Sequence, residues 1–511
     1  MQYFPWWNEA QRKLADEAKQ VVDEILIPMG EKCAWKKEYP WEATKEIAKR
    51  GWFGPLIPEE YGGRRKEWGV TGACIIAEEI GRAGEVSGPW GTTIMGGIDH
   101  ILHAGTEEQK RRWLPRMAKG ELLGCITMTE PFAGSDIAAA EISAVRKDDV
   151  YVVNGRKRFQ TGSAAADIYM TFVKTSNKPE DVRRHRHLTG LVIEKGMPGF
   201  TVERVNDLMG FDGIYNCYLN YDNVQVPVAN RIGEEGDGWR VMMSGLNTER
   251  AIASATVLGP MRELLRYSVQ HLQRRVQFGQ LTGDVGVNQA KIADMMANLT
   301  LARLNSYYTA YLSDLGQEIP VAAASAKLFS VPAALQGAID AIQIMGGNGV
   351  TRYYPVERIF RDQKLTQIAA GTDEILRLVV YRMALVDMAD DLKVPRRVID
   401  DELKVPMPLG KAPPPVTPAS EDDVLKVLAE DYRVNPGLHM SMADLKEQLD
   451  VSDEDLNKYL LSLEEKGLVG LFRDRRGVVN LARATNDGLA KAHPPEYYRY
   501  IPAWVNQKDM F

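Results

Sequence analysis

The stretch EISAVRKDDVYVVNGRKRFQTG, residues 141–162, decides the fold class. Its apolar side chains recur at every second position, the period of a strand with one face in a core and the other in water. LTGLVIEKG (188–196) and YNCYLNYDNVQVPV (215–228) repeat that rhythm, and the NG, KG and DN pairs read as the turns that interrupt it. The alternation predicts a β module over residues 123–235.

Outside this module the period changes. NEAQRKLADEAKQVVDEI (8–25) and ATKEIAKRGWFG (43–54) space their apolar residues by three and four, which predicts a helical domain over residues 1–122. From GDGWRVMMSGLNTER (236–250) the helical period returns. Long helices are expected over 236–390, punctuated by LTGDVG, QEIPV and GGNG. Residues 391–420 are rich in proline and charge and have no period, so they read as a linker. DDVLKVLAEDY, MADLKEQL and DEDLNKYLLSLEEKGLV then predict three short helices, and LVGLFRDRRGVVNLA a two-stranded wing. Residues 421–511 are therefore expected to form a separate winged-helix-like α+β unit.

A chain of 511 residues is too long for one core, and 45% apolar with 26% charged residues is an ordinary globular composition. A net charge of −6 argues against a chain built to coat nucleic acid or an anionic membrane. Cys33, Cys74, Cys125 and Cys217 lie far apart without metal-ligand spacing and read as reduced thiols of an intracellular protein. The start, MQYFPWWNEAQRK, lacks a signal-peptide core, and no run of about 18 apolar residues occurs. The expectation is a cytoplasmic protein without a membrane span. GEEGDGW (233–239) and GGNG (346–349) are neither GxGxxG after a strand nor a phosphate loop, so a dinucleotide Rossmann site is not expected.

Seven stretches occur in order: LIPEEYGG (56–63), TMTEPFAGSD (127–136), FQTG (159–162), RRVQFGQ (274–280), QIMGGNGV (343–350), RYYPVERIFRD (352–362) and AAGTDEI (369–375). Together they resemble the acyl-CoA dehydrogenase family over residues 1 to about 390. The resemblance implies an N-terminal α-helical domain, a middle β-barrel or sandwich and a C-terminal four-helix bundle, usually assembled as a tetramer. It implies FAD as cofactor, an acyl-CoA substrate and an electron-transfer flavoprotein or similar acceptor. Met128 and Thr129 would lie against the isoalloxazine ring, Ser135 would contact CoA or flavin, and Thr161 would hydrogen-bond near N5. Phe159 stands where tryptophan is more usual beside the ring. Arg275, Phe278, Gln343, Gly346 and Gly347 match positions that hold the adenine half and pyrophosphate, partly from another subunit. Thr372 and Glu374 match the ribose side. Apart from the resemblance these residues read as a routine strand threonine, surface charge, a core aromatic and helix-end turns.

Many members carry the catalytic carboxylate directly before the GT of the last motif, where this chain has Ala370. Members resembling isovaleryl- and long-chain acyl-CoA dehydrogenases carry it on a bundle helix, directly before an arginine. LNTERAIASATVLGP (246–260) has that arrangement in Glu249 and Arg250. At the helical period Met242, Leu246, Glu249, Ala253 and Thr256 fall within about 40° of one line, so Glu249 interrupts an apolar stripe. A carboxylate there is costly unless it is paired or employed. Asn247, Arg250, Ser135 and the Ala370–Gly371 turn complete the expected substrate contacts, and an alanine at 370 leaves room for a branched, cyclic or bulky acyl group. MGFDGIYN (209–216) departs from the family's usual turn, and either contacts substrate or makes a different turn.

The third helix of the C-terminal unit has five acids against two lysines, and residues 421–511 hold about 17 acids and 12 bases. RDRR (473–476) is its only local positive cluster. A packing or partner-docking module is expected rather than a DNA reader. The aromatic tail AHPPEYYRYIPAWVNQKDMF is expected to lie across the enzyme body or a neighbour. Three rival readings stand beside the dehydrogenase: an oxidase, a desulfinase or decarboxylase on the same scaffold, and a non-enzymatic DNA-binding relative.

Overall fold

The computed structural model describes residues 3–392, 397–400, 405–408, 418–499 and 501, in two compact units, Met1–Asp387 and Met388–Phe511. The first unit opens with helices whose starts follow from local chemistry. Asn8 and Thr106 accept the backbone N–H of Gln11 and Gln109, and each glutamine returns the bond to its cap. Gly69–Gly81 is buried on every side and forms the strut of the helical domain. Its Glu78 and Glu79 carboxylates are fully buried and are answered from the bundle by Arg262 (3.1 Å to Glu78) and the Tyr307 hydroxyl (2.8 Å to Glu78). Arg82 reaches Glu79 at 2.9 Å. Buried charges persist only with such partners, so this network ties the helical domain to the bundle.

The middle domain is one sheet of eight strands: β1 (Gly124–Thr127), β2 (Ser143–Lys147), β3 (Val150–Thr161), β4 (Ile168–Lys174), β5 (Leu188–Glu194), β6 (Phe200–Val205), β7 (Asn216–Pro227) and β8 (Arg231–Ile232). Its order is β6-β7-β3-β2-β4-β5-β8, with β1 parallel to β4. Tyr151, Leu191, Ile193, Leu219 and Tyr221 draw strands from both ends of that path onto one apolar core.

Two of the expected turns lie inside strands. Asn154–Gly155 sits within β3 and Asp222–Asn223 within β7, facing each other where the pairing register shifts. Gly155 (φ 142°) supplies the bulge, and Asn223 N–H donates to the Asn154 side chain at 2.8 Å. A Cβ at Gly155 would meet Ile142 at 2.8 Å. Asn-Gly is a strong hairpin signal, but the same positive φ serves a bulge equally well.

Four long helices form the bundle: Gly238–Thr256, Leu258–Leu272, Gly286–Asp314 and Pro320–Met345. Val356–Thr366 and Asp373–Asp387 follow. By length and composition alone one segment, Pro320–Val350, is apolar enough to cross a membrane, and half of its apolar window is buried inside the protein. Lys327 and Asp340 interrupt its apolar run without removing that character. In the protein its small residues Ala323, Ala326, Ala334, Ala338 and Ala341 are buried within the unit.

The second unit has helices Glu421–Tyr432, Met442–Gln448 and Asp453–Glu465, each capped by a serine, around a leucine-rich core. The antiparallel strands Val469–Arg473 and Val479–Ala484 follow. Arg473 donates to Glu464 (2.9 Å) and Arg476 pairs with Asp474 (3.0 Å), so two arginines of the RDRR cluster already hold carboxylates of their own unit. Within the expected linker, Arg397–Asp400 and Val405–Pro408 pair as short antiparallel strands that a proline-rich run disguises. Residues 393–396, 401–404 and 409–417 of that linker lie outside the described residues, as do residues 500 and 502–511 of the aromatic tail.

Candidate active site

The segment after β1 and the end of β3 are locked together. The Thr129 carbonyl accepts from Arg158 N–H and from the Gln160 carboxamide, both at 2.9 Å, while Met128 N–H donates to Gln160 Oε1 at 3.3 Å. Beneath them lies Lys157, fully buried. Its ammonium donates to the Met128 carbonyl at 2.7 Å and to Glu130 at 2.8 Å. Burial pulls the Lys157 pKa down, and Glu130 opposes that by favouring the charged form. Glu130 also receives the N–H groups of Glu141 (2.6 Å) and Ile142 (3.1 Å), so the buried pair is closed on all sides.

The outward groups of this region fit a flavin. Thr161 accepts from Asn216 Nδ2 at 3.0 Å, which leaves its own hydroxyl proton to donate outward. Phe159, held at φ 60°, is 46% exposed with the Arg158 guanidinium 4.0 Å above its ring. Such an exposed, pre-oriented aromatic presents a face to a planar partner.

Across the first unit, the helix Gly238–Thr256 carries Glu249. Of the expected stripe only Met242 is fully buried; Leu246, Glu249, Ala253 and Thr256 are half-buried, so the stripe borders the core rather than facing into it. Glu249 Oε2 is nevertheless sealed and has no hydrogen-bond partner among the described residues. Burial is the main cause that raises its pKa to about 7; Arg250 and then Lys327 pull it down, and Asp99 pushes it up. Arg250 is buried, lies 3.4 Å from the Asn247 side chain, and leaves Nε without a partner.

Lys327, 1% exposed on Pro320–Met345, donates to the Gly371 carbonyl at 2.9 Å. That bond pins the turn formed by Ala370 (φ 53°) and Gly371 (φ 89°). Thr372 Oγ1 accepts Ile375 N–H at 3.3 Å, and the helix Asp373–Asp387 begins there, with the Glu374 pKa lowered by backbone and Thr372 hydrogen bonds.

The structure thus gathers Met128, Thr129, Phe159 and Thr161 into one neighbourhood, and links Glu249 and Arg250, with Asn247 beside Arg250, through the charge of Lys327 to the Ala370–Gly371 turn. It leaves the other expected residues in solvent. Ser135, Arg275, Gln343, Gly346 and Gly347 are exposed, and Phe278, at the tip of a hairpin, is 100% exposed. MGFDGIYN forms a turn anchored on the helix Val356–Thr366: Phe211 N–H donates to Asp362 (2.5 Å), and Arg361 pairs with Asp212 (3.0 Å). Sequence reasoning missed Lys157, Glu130, Asp99 and Lys327. The signal for Lys327 was present, since it is the only base in PVAAASAKLFSVPAALQGAIDAIQIM.

Sequence models of the acyl-CoA dehydrogenase N-terminal, middle and C-terminal domains match residues 8–121, 125–224 and 236–385. Mitochondrial isovaleryl-CoA dehydrogenase of Pongo abelii is 35% identical over 378 residues, 73% of this chain and 88% of its own. Cyclohex-1-ene-1-carbonyl-CoA dehydrogenase of Geobacter metallireducens is 36% identical over 380 residues, 74% of this chain and 98% of its own. Among solved structures, butyryl-CoA dehydrogenase of Megasphaera elsdenii aligns with a TM-score of 0.72 at 32% identity, covering 75% of this chain and 100% of that one.

Proposed function

The chain belongs to the acyl-CoA dehydrogenase family, a group of FAD-dependent oxidoreductases acting on CH–CH bonds, and from that premise we propose that Glu249 is its catalytic base. The observation that carries this reading is the sealed, unpartnered Glu249 Oε2, whose pKa of about 7 suits a proton acceptor near neutrality. Ionised Glu249 takes the proton from the carbon α to the thioester. The β carbon loses hydride, and a C=C bond forms between them. FAD, when bound, supplies the hydride acceptor. Met128, Thr129, Phe159 and Thr161 hold the flavin, and Arg275, Phe278, Gln343, Gly346, Gly347, Thr372 and Glu374 hold its adenosine half, several of them across a subunit boundary in a homotetramer. Phe278, fully exposed in the single chain, supports that assembly because a bare aromatic gains by being covered.

Ser135, Asn247, Arg250 and the Ala370–Gly371 turn contact the acyl-CoA. Ala370 leaves the seat beside the α carbon free of a carboxylate, which favours a branched, cyclic or otherwise bulky acyl group. Similarity to isovaleryl-CoA and cyclohex-1-ene-1-carbonyl-CoA dehydrogenases supports that class. Electrons pass to an electron-transfer flavoprotein or similar acceptor in the cytoplasm. The second unit serves as a winged-helix-like packing or docking module.

The test is anaerobic flavin bleaching with linear, branched, cyclic and aromatic acyl-CoAs. Wild type bleaches fastest with branched or cyclic substrates, and Glu249→Gln slows bleaching by about 10²–10⁴-fold. Near-wild-type bleaching by E249Q would refute the base, and strict preference for short straight chains would refute the substrate class. Stoichiometric peroxide in air would mark an oxidase instead.

A further inference from the structure

Buried lysines are rare, and most are held by a carboxylate. Lys327 departs from that rule. Its one hydrogen bond among the described residues is to a neutral carbonyl, Gly371 O at 2.9 Å. A glutamine, the longest neutral donor, could answer that carbonyl without placing an ammonium in the core, which costs several kcal/mol after relaxation. Satisfying Gly371 is therefore not a sufficient reason for a lysine.

The turn it touches explains the position. Ala370 and Gly371 are consecutive residues with positive φ, 53° and 89°. An L-residue in the left-handed region persists only where its surroundings over-determine it, and the bond from Lys327 is such a constraint. The charges around it explain the ammonium. Asp373 faces Lys327 from the start of the last bundle helix, and Glu249 and Arg250 face it from Gly238–Thr256. Glu249 in turn is faced by Arg250 on its own helix, by Lys327, and by Asp99 from the helix Ile98–Ala104.

We propose that Lys327 is a positioning residue for the reaction, its ammonium pinning the Ala370–Gly371 turn and facing Glu249 as the cation from a neighbouring helix. This rests on the reading of Glu249 as base. Burial lowers the Lys327 pKa to about 8, while Glu249 is raised to about 7. Glu249 must be ionised to accept a proton, so the rate climbs as pH rises through about 7. Lys327 must be protonated to face it as a cation, so the rate falls again above about 8. The two groups are most fully charged together between those values.

The experiment compares wild type, Lys327→Gln and Lys327→Met as holoenzymes. Gln keeps a neutral donor for Gly371, whereas Met keeps only the bulk. Flavin reduction by the best acyl-CoA is followed from pH 5.5 to 9.5, and amide hydrogen exchange is followed over residues 366–376. Both variants are expected to lose the alkaline limb, shift the acid limb to higher pH, and react about 10–100-fold more slowly at neutral pH. Only K327M should exchange the turn faster. A wild-type pH profile in both variants would overturn the electrostatic role, and wild-type exchange in K327M would overturn the pinning. K327Q carries the pH arm if K327M fails to fold. If no acyl-CoA reduces the wild-type flavin, the functional reading fails by itself, and the exchange comparison still decides whether Lys327 holds the turn.

Discussion

Two lysines lie buried in the first unit, and each donates to a backbone carbonyl at the edge of the proposed active site. Lys157 holds Met128 and Lys327 holds Gly371. They differ in what neutralises them. Lys157 sits 2.8 Å from Glu130, which is itself saturated by two backbone N–H groups. That charge is closed within the scaffold, and nothing beyond the pair feels much of it. Lys327 has a carbonyl for its direct partner and two carboxylates, Asp373 and Glu249, within electrostatic reach. Its charge remains open to the site. A closed pair makes a rigid floor under the Met128–Glu130 segment, whereas an open cation can bias a nearby carboxylate such as Glu249.

The largest effect should come from opening the closed pair. Glu130→Ala leaves Lys157 buried and uncompensated and should cost about 3–5 kcal/mol in urea unfolding, with loss of bound FAD. The double replacement Lys157→Met with Glu130→Leu should recover most of that stability. If E130A alone is nearly neutral, Lys157 is not the closed charge described.

Glu249→Gln should act in the opposite sense, because it removes a poorly satisfied buried carboxylate. The folded pKa of Glu249 is raised, so its contribution to stability is fully present below about 4.5 and is lost as pH rises through about 7. E249Q should therefore be more stable than wild type by about 1–3 kcal/mol at pH 8 and indistinguishable from it at pH 4. Melting curves at the two pH values check the sign.

Lys327→Met should change stability by less than about 1 kcal/mol at pH 7, since removing the lysine leaves no carboxylate newly stranded within ion-pair distance. A loss as large as that of E130A would erase the distinction between the two lysines. The smallest effect lies outside both. Ending the chain after residue 390 removes the second unit, which packs around a core of its own, and should leave flavin reduction within about twofold.

Much of the arrangement was readable in advance, for identifiable reasons. Period-two and period-3.6 spacing separated sheet from helices because burial on one face imposes those periods. The unusual setting of Glu249 was readable because a carboxylate on a mostly apolar helix face is anomalous. The stripe argument overstated its burial, because helical angles show which residues share a face but not how deep that face lies. The Asn154–Gly155 pair was misread as a hairpin turn, since a glycine's positive φ serves bulge and turn alike. Lys157 and Lys327 escaped notice because their partners lie 27 and 44 residues away. Nothing local marks Lys157 in its alternating strand, and the lone base of an alanine-rich helix flags Lys327 without naming the distant turn it supports.

Ala370 has a consequence for how such an enzyme changes over time. Its backbone already tolerates a Cβ at φ 53°, so a longer side chain there adds no new backbone penalty. A carboxylate could arrive at residue 370 by substitution alone, with Lys327 already holding the turn, before Glu249 is given up. On the proposed reading of Glu249 as base, the two placements are then neighbours in sequence space, joined by an intermediate carrying both.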